Sequence, residues 1–70
     1  MGKITKSSEK LGRKIQKRRK EFGYTQEELA ERINLSRTHM GHIEQGRKSP
    51  SIKVLEKIAK ALKTSPSSFF

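Results

Sequence analysis

Between Thr25 and Gln45 the chain gathers a set of side chains that could do chemistry. Arg37 carries a planar guanidinium, Thr38 a hydroxyl, His39 and His42 imidazoles, and Gln26 and Gln45 amides. Histidines at i and i+3 could share a metal ion, but they have no third ligand nearby, and the chain has no Cys to supply one. No nucleophile–base pair converges in the sequence, no two carboxylates form an acid pair, and no glycine-rich loop is present to cradle a phosphate. The set suits recognition instead. An arginine fork matches O6 and N7 of guanine together, and a threonine can set its methyl against thymine or its hydroxyl on a phosphate. The expectation is a binding surface without catalysis, cofactor, metal or small-molecule substrate.

Composition points the same way. Seventy residues hold 17 Lys or Arg against 7 Asp or Glu, a formal net charge of +10, and only 30% of the chain is hydrophobic. A domain of this size buries only about 60% of the surface its unfolded chain exposes, so a deep substrate cavity is not expected. Without Cys there is no disulfide framework, and stability must come from packing. The longest apolar runs are two residues, as in Leu29-Ala30 and Phe69-Phe70, against the roughly 18 that suggest a membrane span. The excess positive charge implies a polyanionic partner, nucleic acid before membrane. Its distribution is uneven: residues 1–20 carry +8, residues 21–46 carry −3 and residues 47–70 carry +5. Residues 1–6 read as a flexible basic arm, and 7–70 as a single domain.

The elements that must position these side chains read as all-α, five helices without strands. The first runs from Ser7 or Ser8 to Phe22, with Leu11, Ile15 and Phe22 at helical spacing and Gly23 as its stop. Thr25-Gln26-Glu27-Glu28 is a capping box that opens a second helix, which runs to Arg32 or Ile33. Ser36 caps a third helix, residues 37–45, which Gly46 ends. A fourth spans 51 to 62 or 63, with Ile52, Leu55, Ile58, Ala59 and Leu62 on one face. Ser65-Pro66 starts a last turn. A helix-turn-helix joins two short helices through a tight turn. Counted from Gln26, it wants apolar residues at the fourth, eighth, tenth, fifteenth and eighteenth places (Leu29, Ile33, Leu35, Met40, Ile43). It also wants a small residue at the fifth (Ala30) and one that tolerates a left-handed backbone at the ninth (Asn34). Every offset is met.

With Leu11-Gly12, Arg19, Gly23, Thr25–Ala30, Ser36-Arg37, Ile43–Gly46, Pro50-Ser51, Ile58–Leu62 and Phe69-Phe70 in place, residues 8–70 resemble the lambda-repressor-like (Cro/Xre-type) helix-turn-helix domains. The resemblance implies a compact five-helix domain binding double-stranded operator DNA, usually as a homodimer on a palindrome. It also implies an ion pair between Arg19 and Glu44, and a Gln26 that bonds phosphate and braces Arg37. The chain departs from the family pattern with Asn34 for Gly, Arg18 for an apolar residue, and Gly41 where Ser is frequent; a helical Gly costs about 1 kcal/mol against Ala.

At 100° per residue, Met40, Ile43 and Glu44 turn inward on the third helix while Thr38, His42 and Gln45 turn outward. The N-terminal end of a recognition helix enters the major groove, so Arg37, Thr38, His39 and His42 are the base-reading candidates. Thr25, Gln26, Ser36, Arg47 and Lys48 are the backbone candidates. Lys10, Arg13, Lys14, Lys17, Arg18 and Lys20 surround a thin apolar stripe on the first helix, part flanking DNA and the rest solvated. Val54, the end of the fourth helix and Phe69-Phe70 are the candidate dimer contact. The implied setting is a bacterial or phage transcriptional regulator, cytoplasmic and nucleoid-associated. The competing readings are an antitoxin-like protein-interaction module and the N-terminal DNA-binding fragment of a longer repressor.

Overall fold

The computed structural model describes residues 6–70, which contain helices, turns and extended connections but no strand. Helix α1 runs Lys6–Phe22, α2 Gln26–Arg32, α3 Arg37–Glu44 and α4 Ile52–Ala61, and a 3₁₀ turn spans Pro66–Phe69. The architecture is thus four α-helices, not five. The last segment closes i→i+3 bonds, with Ser68 N–H on the Ser65 carbonyl at 3.0 Å. The Ser68 hydroxyl donates to that same carbonyl at 2.7 Å, a local bond that competes with α-helical pairing. Of the expected arm over residues 1–6, residues 1–5 lie outside the described ones, while Lys6 opens α1. No described helix is long and apolar enough to cross a membrane.

Local chemistry explains the helix starts. Thr25 Oγ1 accepts from Glu28 N–H at 3.0 Å, and Glu28 Oε1 accepts from Thr25 N–H at 2.8 Å, a complete capping box. The Thr25 backbone and side-chain hydrogen bonds, helped by nearby Arg32, hold the Glu28 carboxyl below its ordinary pKa. Ser36 and Ser51 cap α3 and α4, accepting from His39 N–H at 3.0 Å and Val54 N–H at 3.1 Å.

The helix ends share one device. Each α-helix stops at a residue with positive φ: Gly23 (93°), Asn34 (59°), Gly46 (79°) and Lys63 (52°). The next residue's N–H reaches back to close the end, as Tyr24 does to Arg19 O (3.1 Å), Leu35 to Ala30 O (2.8 Å), Arg47 to His42 O (2.9 Å) and Thr64 to Ala59 O (2.9 Å). Asn34 thus sets the turn of the helix-turn-helix in the left-handed conformation that its place requires. Lys63 is the one stop residue with no side-chain suitability for that region. Arg18 lies beside it, donating from Nε and Nη2 to the Leu62 carbonyl at 3.1 and 2.9 Å. It offsets the negative end of α4. Arg18 is therefore a cap of α4. Lys14, Lys17 and Arg18 line a shallow depression with Thr64, Ser68 and Phe69.

The core joins Ile15, Leu29, Ala30, Ile33, Met40, Ile43, Leu55, Ile58, Ala59, Leu62 and Phe69, all buried, with Leu11, Phe22, Tyr24, Leu35 and Val54 packed around it. Helix α3 lies against both α1 and α2, while the 3₁₀ turn lies against α1 and α4. Two sequence expectations fail at the periphery. Ile52, placed on the inward face of α4, is 80% exposed at the first position of that helix. Phe69 and Phe70 do not act together: Phe69 is buried and closes the core, and Phe70 is 74% exposed.

A buried ion pair completes the assembly. Arg19 Nε donates to Glu44 Oε2 at 2.6 Å, Nη2 to Oε1 at 3.0 Å, and Nη1 to the Tyr24 carbonyl at 2.7 Å. Gln26 Nε2 donates to Glu44 Oε1 at 2.9 Å. Both charged residues are at most 6% exposed, and among the described residues no buried side-chain N or O lacks a partner. Above the pair, α1 touches the end of α3 at Gly12, where a Cβ would stand 2.5 Å from Ile43 O and 2.6 Å from Glu44 O.

Two stability measurements test this account. Glu44→Ala leaves Arg19 buried and unpaired, and is expected to lower the unfolding free energy in urea by about 3–5 kcal/mol. The Arg19→Met/Glu44→Met double variant should lose less than the two single changes together. An unchanged melting temperature for Glu44→Ala would refute the structural role. Lys63→Gly relieves a left-handed backbone that disfavours a Cβ by roughly 1–2 kcal/mol, so its melting point should rise by several degrees. Asn34→Gly should change it less, since Asn already tolerates that region; equal shifts would count against the argument.

Candidate nucleic-acid interface

With Met40, Ile43 and Glu44 buried in the fold, the opposite face of α3 is held outward. Arg37, Thr38, Gly41, His42 and Gln45 share one open depression of about 340 Å³ with Gln26 from the start of α2 and Arg47 from the loop after α3. Arg37, Thr38, Gln45 and Arg47 are exposed and His42 is half-buried. Arg37 also borders an adjoining depression with Arg19, Thr25, Gln26 and Glu27, so it stands between the starts of α2 and α3.

The residues singled out from sequence divide accordingly. Arg37, Thr38 and His42 come together with Gln26 and Arg47. His39 is half-buried on the flank next to the inward Ile43 and lines neither depression. Thr25 sits in the adjoining hollow, while Ser36 and Lys48 are exposed at the two ends of α3. Both hydroxyls serve as caps by accepting a hydrogen bond, which leaves the hydroxyl proton free to donate to an anion. The backbone N–H groups of Arg47 and Lys48 turn back onto His42 O at 2.9 and 3.3 Å, and their charged side chains remain in solvent. Gln26 has a partner that the sequence reading did not include: its NH₂ donates to Glu44 at 2.9 Å, which leaves its Oε1 free to accept. That bond fixes the amide's orientation, and its Oε1 lies 3.8 Å from where a Gly41 Cβ would stand.

Gln45, turned outward by its helical phase but not placed among the base-reading candidates, joins Thr38 and His42 in the depression on the outward face of α3. Gly12 sets how closely α1 approaches α3, and nothing local in the sequence marks it for that.

Electrostatics separate two kinds of basic residue. Arg37 and Arg47 border the α3 depression near the positive N-terminal end of α3 or its exit loop. Lys57, Lys60, Lys63 and Arg32 instead surround a hollow with Tyr24, Ile33, Asn34 and Ala61. There the carbonyl ends of α2 and α4 meet, which is where cations favourably offset the helix dipoles. Arg32 is further held over the Tyr24 ring at 4.7 Å.

Known proteins share this arrangement. A regulator of the helix-turn-helix type from Methanothermobacter thermautotrophicus is 50% identical over 48 residues, 69% of this chain and 70% of that protein. The immunity repressor of Bacillus phage phi105 is 46% identical over 52 residues, 74% of this chain but only 36% of that protein. The chain thus spans most of one relative and about a third of the other. Among solved structures, the restriction-modification controller protein C.AhdI from Aeromonas hydrophila superposes with a TM-score of 0.91 at 30% identity, covering 94% of this chain and all of that one. The biofilm regulator SinR, solved in complex with DNA, gives 0.80 at 35% identity over 84% of this chain and 95% of that one. The helix-turn-helix family model HTH_3 matches residues 15–69. The chain belongs to that Cro/C1-type helix-turn-helix family.

Proposed function

We propose that the protein is a sequence-specific DNA-binding transcriptional regulator that lays α3 in the major groove of an operator. The observation that carries this is the division of α3. Its inner face is locked by the core and the Arg19–Glu44 pair, while its outer face presents Arg37, Thr38, His42 and Gln45 in one depression. Its kinship with a DNA-complexed regulator supports the reading. In this reading Arg37 takes a guanine edge, while Thr38, His42 and Gln45 meet neighbouring bases. Arg47, Lys48 and the capping hydroxyls of Thr25 and Ser36 hold phosphates and set register. His39, on the flank, reaches the edge of the same groove. The protein acts by occupying DNA, within the cytoplasm and on the nucleoid, and not by catalysing a reaction.

One helix reads few base pairs, so the working species is a homodimer on a palindrome, its recognition helices about 34 Å apart. The exposed Ile52 and Phe70 and half-buried Val54 offer its contact. Phe69 is excluded from it by its place in the core.

Selection from a random double-stranded pool at ~150 mM salt, where non-specific binding is reduced, should enrich a palindrome with half-sites one turn apart. Arg37→Ala should lose about 1–3 kcal/mol at one base position per half-site. Arg47→Ala should weaken all sequences alike and reduce the salt slope by about 1. Failure to enrich any sequence would favour a protein-interaction module.

A further inference from the structure

The basic hollow at the carbonyl ends of α2 and α4 carries more charge than those ends account for. It measures about 530 Å³, with Arg32, Lys57, Lys60 and Lys63 around it and no acidic residue in its lining. A helix end presents about half a negative charge, so the two ends together answer about one of these cations. The α4 end is already engaged by Arg18, which donates to the Leu62 carbonyl from Nε and Nη2 at 3.1 and 2.9 Å. Lys57 stands before the last turn of α4, where the dipole has little effect. Nearby acids leave the surplus standing. Glu28 and Glu31 surround a separate hollow with Arg32, so they answer Arg32 and not the lysines. Glu56 lies one turn before Lys60 on α4 but does not line the hollow. The three lysines are exposed, and among the described residues none of them is ion-paired. About two lysine charges therefore face solvent with no counter-charge in the fold.

Between these cations the floor is apolar. Tyr24, Ile33 and Ala61 line it, the Tyr24 ring lying under the Arg32 guanidinium at 4.7 Å. Such a site matches a ligand that carries carboxylates on either side of an apolar side chain. Small ligands take clefts that bury most of their surface, whereas this hollow is open along one side and suits a peptide laid across it. We propose that the hollow is a docking surface for an acidic segment of a partner protein. An apolar side chain of that segment rests on Tyr24, Ile33 and Ala61, and its carboxylates meet Lys57, Lys60 and Lys63. No residue of this hollow borders the depressions beside α3, so a partner here and a duplex at α3 do not compete for the same side chains. The inference goes beyond the groove reading and does not rest on it.

The probe is a fluorescein-labelled synthetic peptide of Asp and Glu with one central leucine. Its binding is followed by anisotropy at ~150 mM salt, where loose charge attraction is screened, and its site by amide NMR shifts. Wild-type protein should bind it with shifts centred on Asn34, Lys57, Lys60 and Ala61. The same peptide with serine in place of leucine should bind several-fold more weakly. Lys57→Gln/Lys60→Gln should weaken binding by roughly tenfold, whereas Lys14→Gln/Lys17→Gln, which removes equal charge from α1, should leave it within about twofold. Both variants should keep the wild-type circular dichroism, since all four side chains are exposed. Equal weakening by the two variants would mean that binding follows net charge alone, and overturns the proposal. Shifts centred on Arg37 and Arg47 overturn it by placing the peptide on the α3 face. Indifference to the serine replacement does so by leaving an anion site only. A duplex of arbitrary sequence that displaces the peptide and shifts the same hollow residues would make the hollow a nucleic-acid surface, which also overturns the proposal, as does absence of peptide binding.

Discussion

The fold turns on one buried charge pair. Arg19 of α1 grips both oxygens of Glu44 at the end of α3, and its third nitrogen takes the carbonyl of Tyr24 in the α1–α2 turn. Gln26, at the start of α2, adds its amide to the same carboxylate. Three helices thus meet at a single carboxylate, and the turn joins them through Arg19. A buried pair of this kind adds little net stability over a well-packed apolar substitute, but breaking it is expensive, since the charge left behind has no water. Its contribution is one of placement. The pair lies beside the outward face of α3, so the interaction that locks the inner face also aims Gln26 at the outer one.

Around that node α2, α3 and α4 are short, at 7, 8 and 10 residues, and short helices do not persist alone. The structure compensates at their ends. Thr25, Ser36 and Ser51 satisfy free N–H groups at the starts, and a left-handed residue with a returning N–H closes each end. These ends set the chain's direction at every corner. The close approach at Gly12 then brings α1 onto α3. With caps and close contacts defining the geometry, a small core can hold α3 rigidly enough for its exposed face to keep a fixed shape.

Net charge of +10 is best understood through position. Some of the basic residues serve the fold: Arg19 is buried, Arg18 caps α4, and Arg32, Lys57, Lys60 and Lys63 gather where helix carbonyl ends meet. Arg37 and Arg47 border the outward face of α3, and Lys48 lies beside Arg47 in the exit loop. The sum alone points to a polyanion, but the arrangement distinguishes cations that hold the protein together from those whose charge is left in solvent.

The sequence by itself determined whatever depends on neighbours within a few positions. The Thr25 capping box, the Ser36 cap, the left-handed place of Asn34, the stops at Gly23 and Gly46 and the inward phase of Met40, Ile43 and Glu44 all arise from contacts within about one or two helical turns. These were legible, and so was the all-helical class. What only the tertiary structure decided involves residues far apart in the chain, whose meeting no local pattern encodes. Arg18 found the carbonyl of Leu62, Gln26 turned to Glu44, and Gly12 met the backbone of Ile43. Ile52 and Phe70 share the apolar character of Ile58 and Phe69, yet they lie outside, because burial depends on where the chain's other elements end. Hydrophobicity states what a side chain prefers, and the packed geometry allots a limited interior among the candidates.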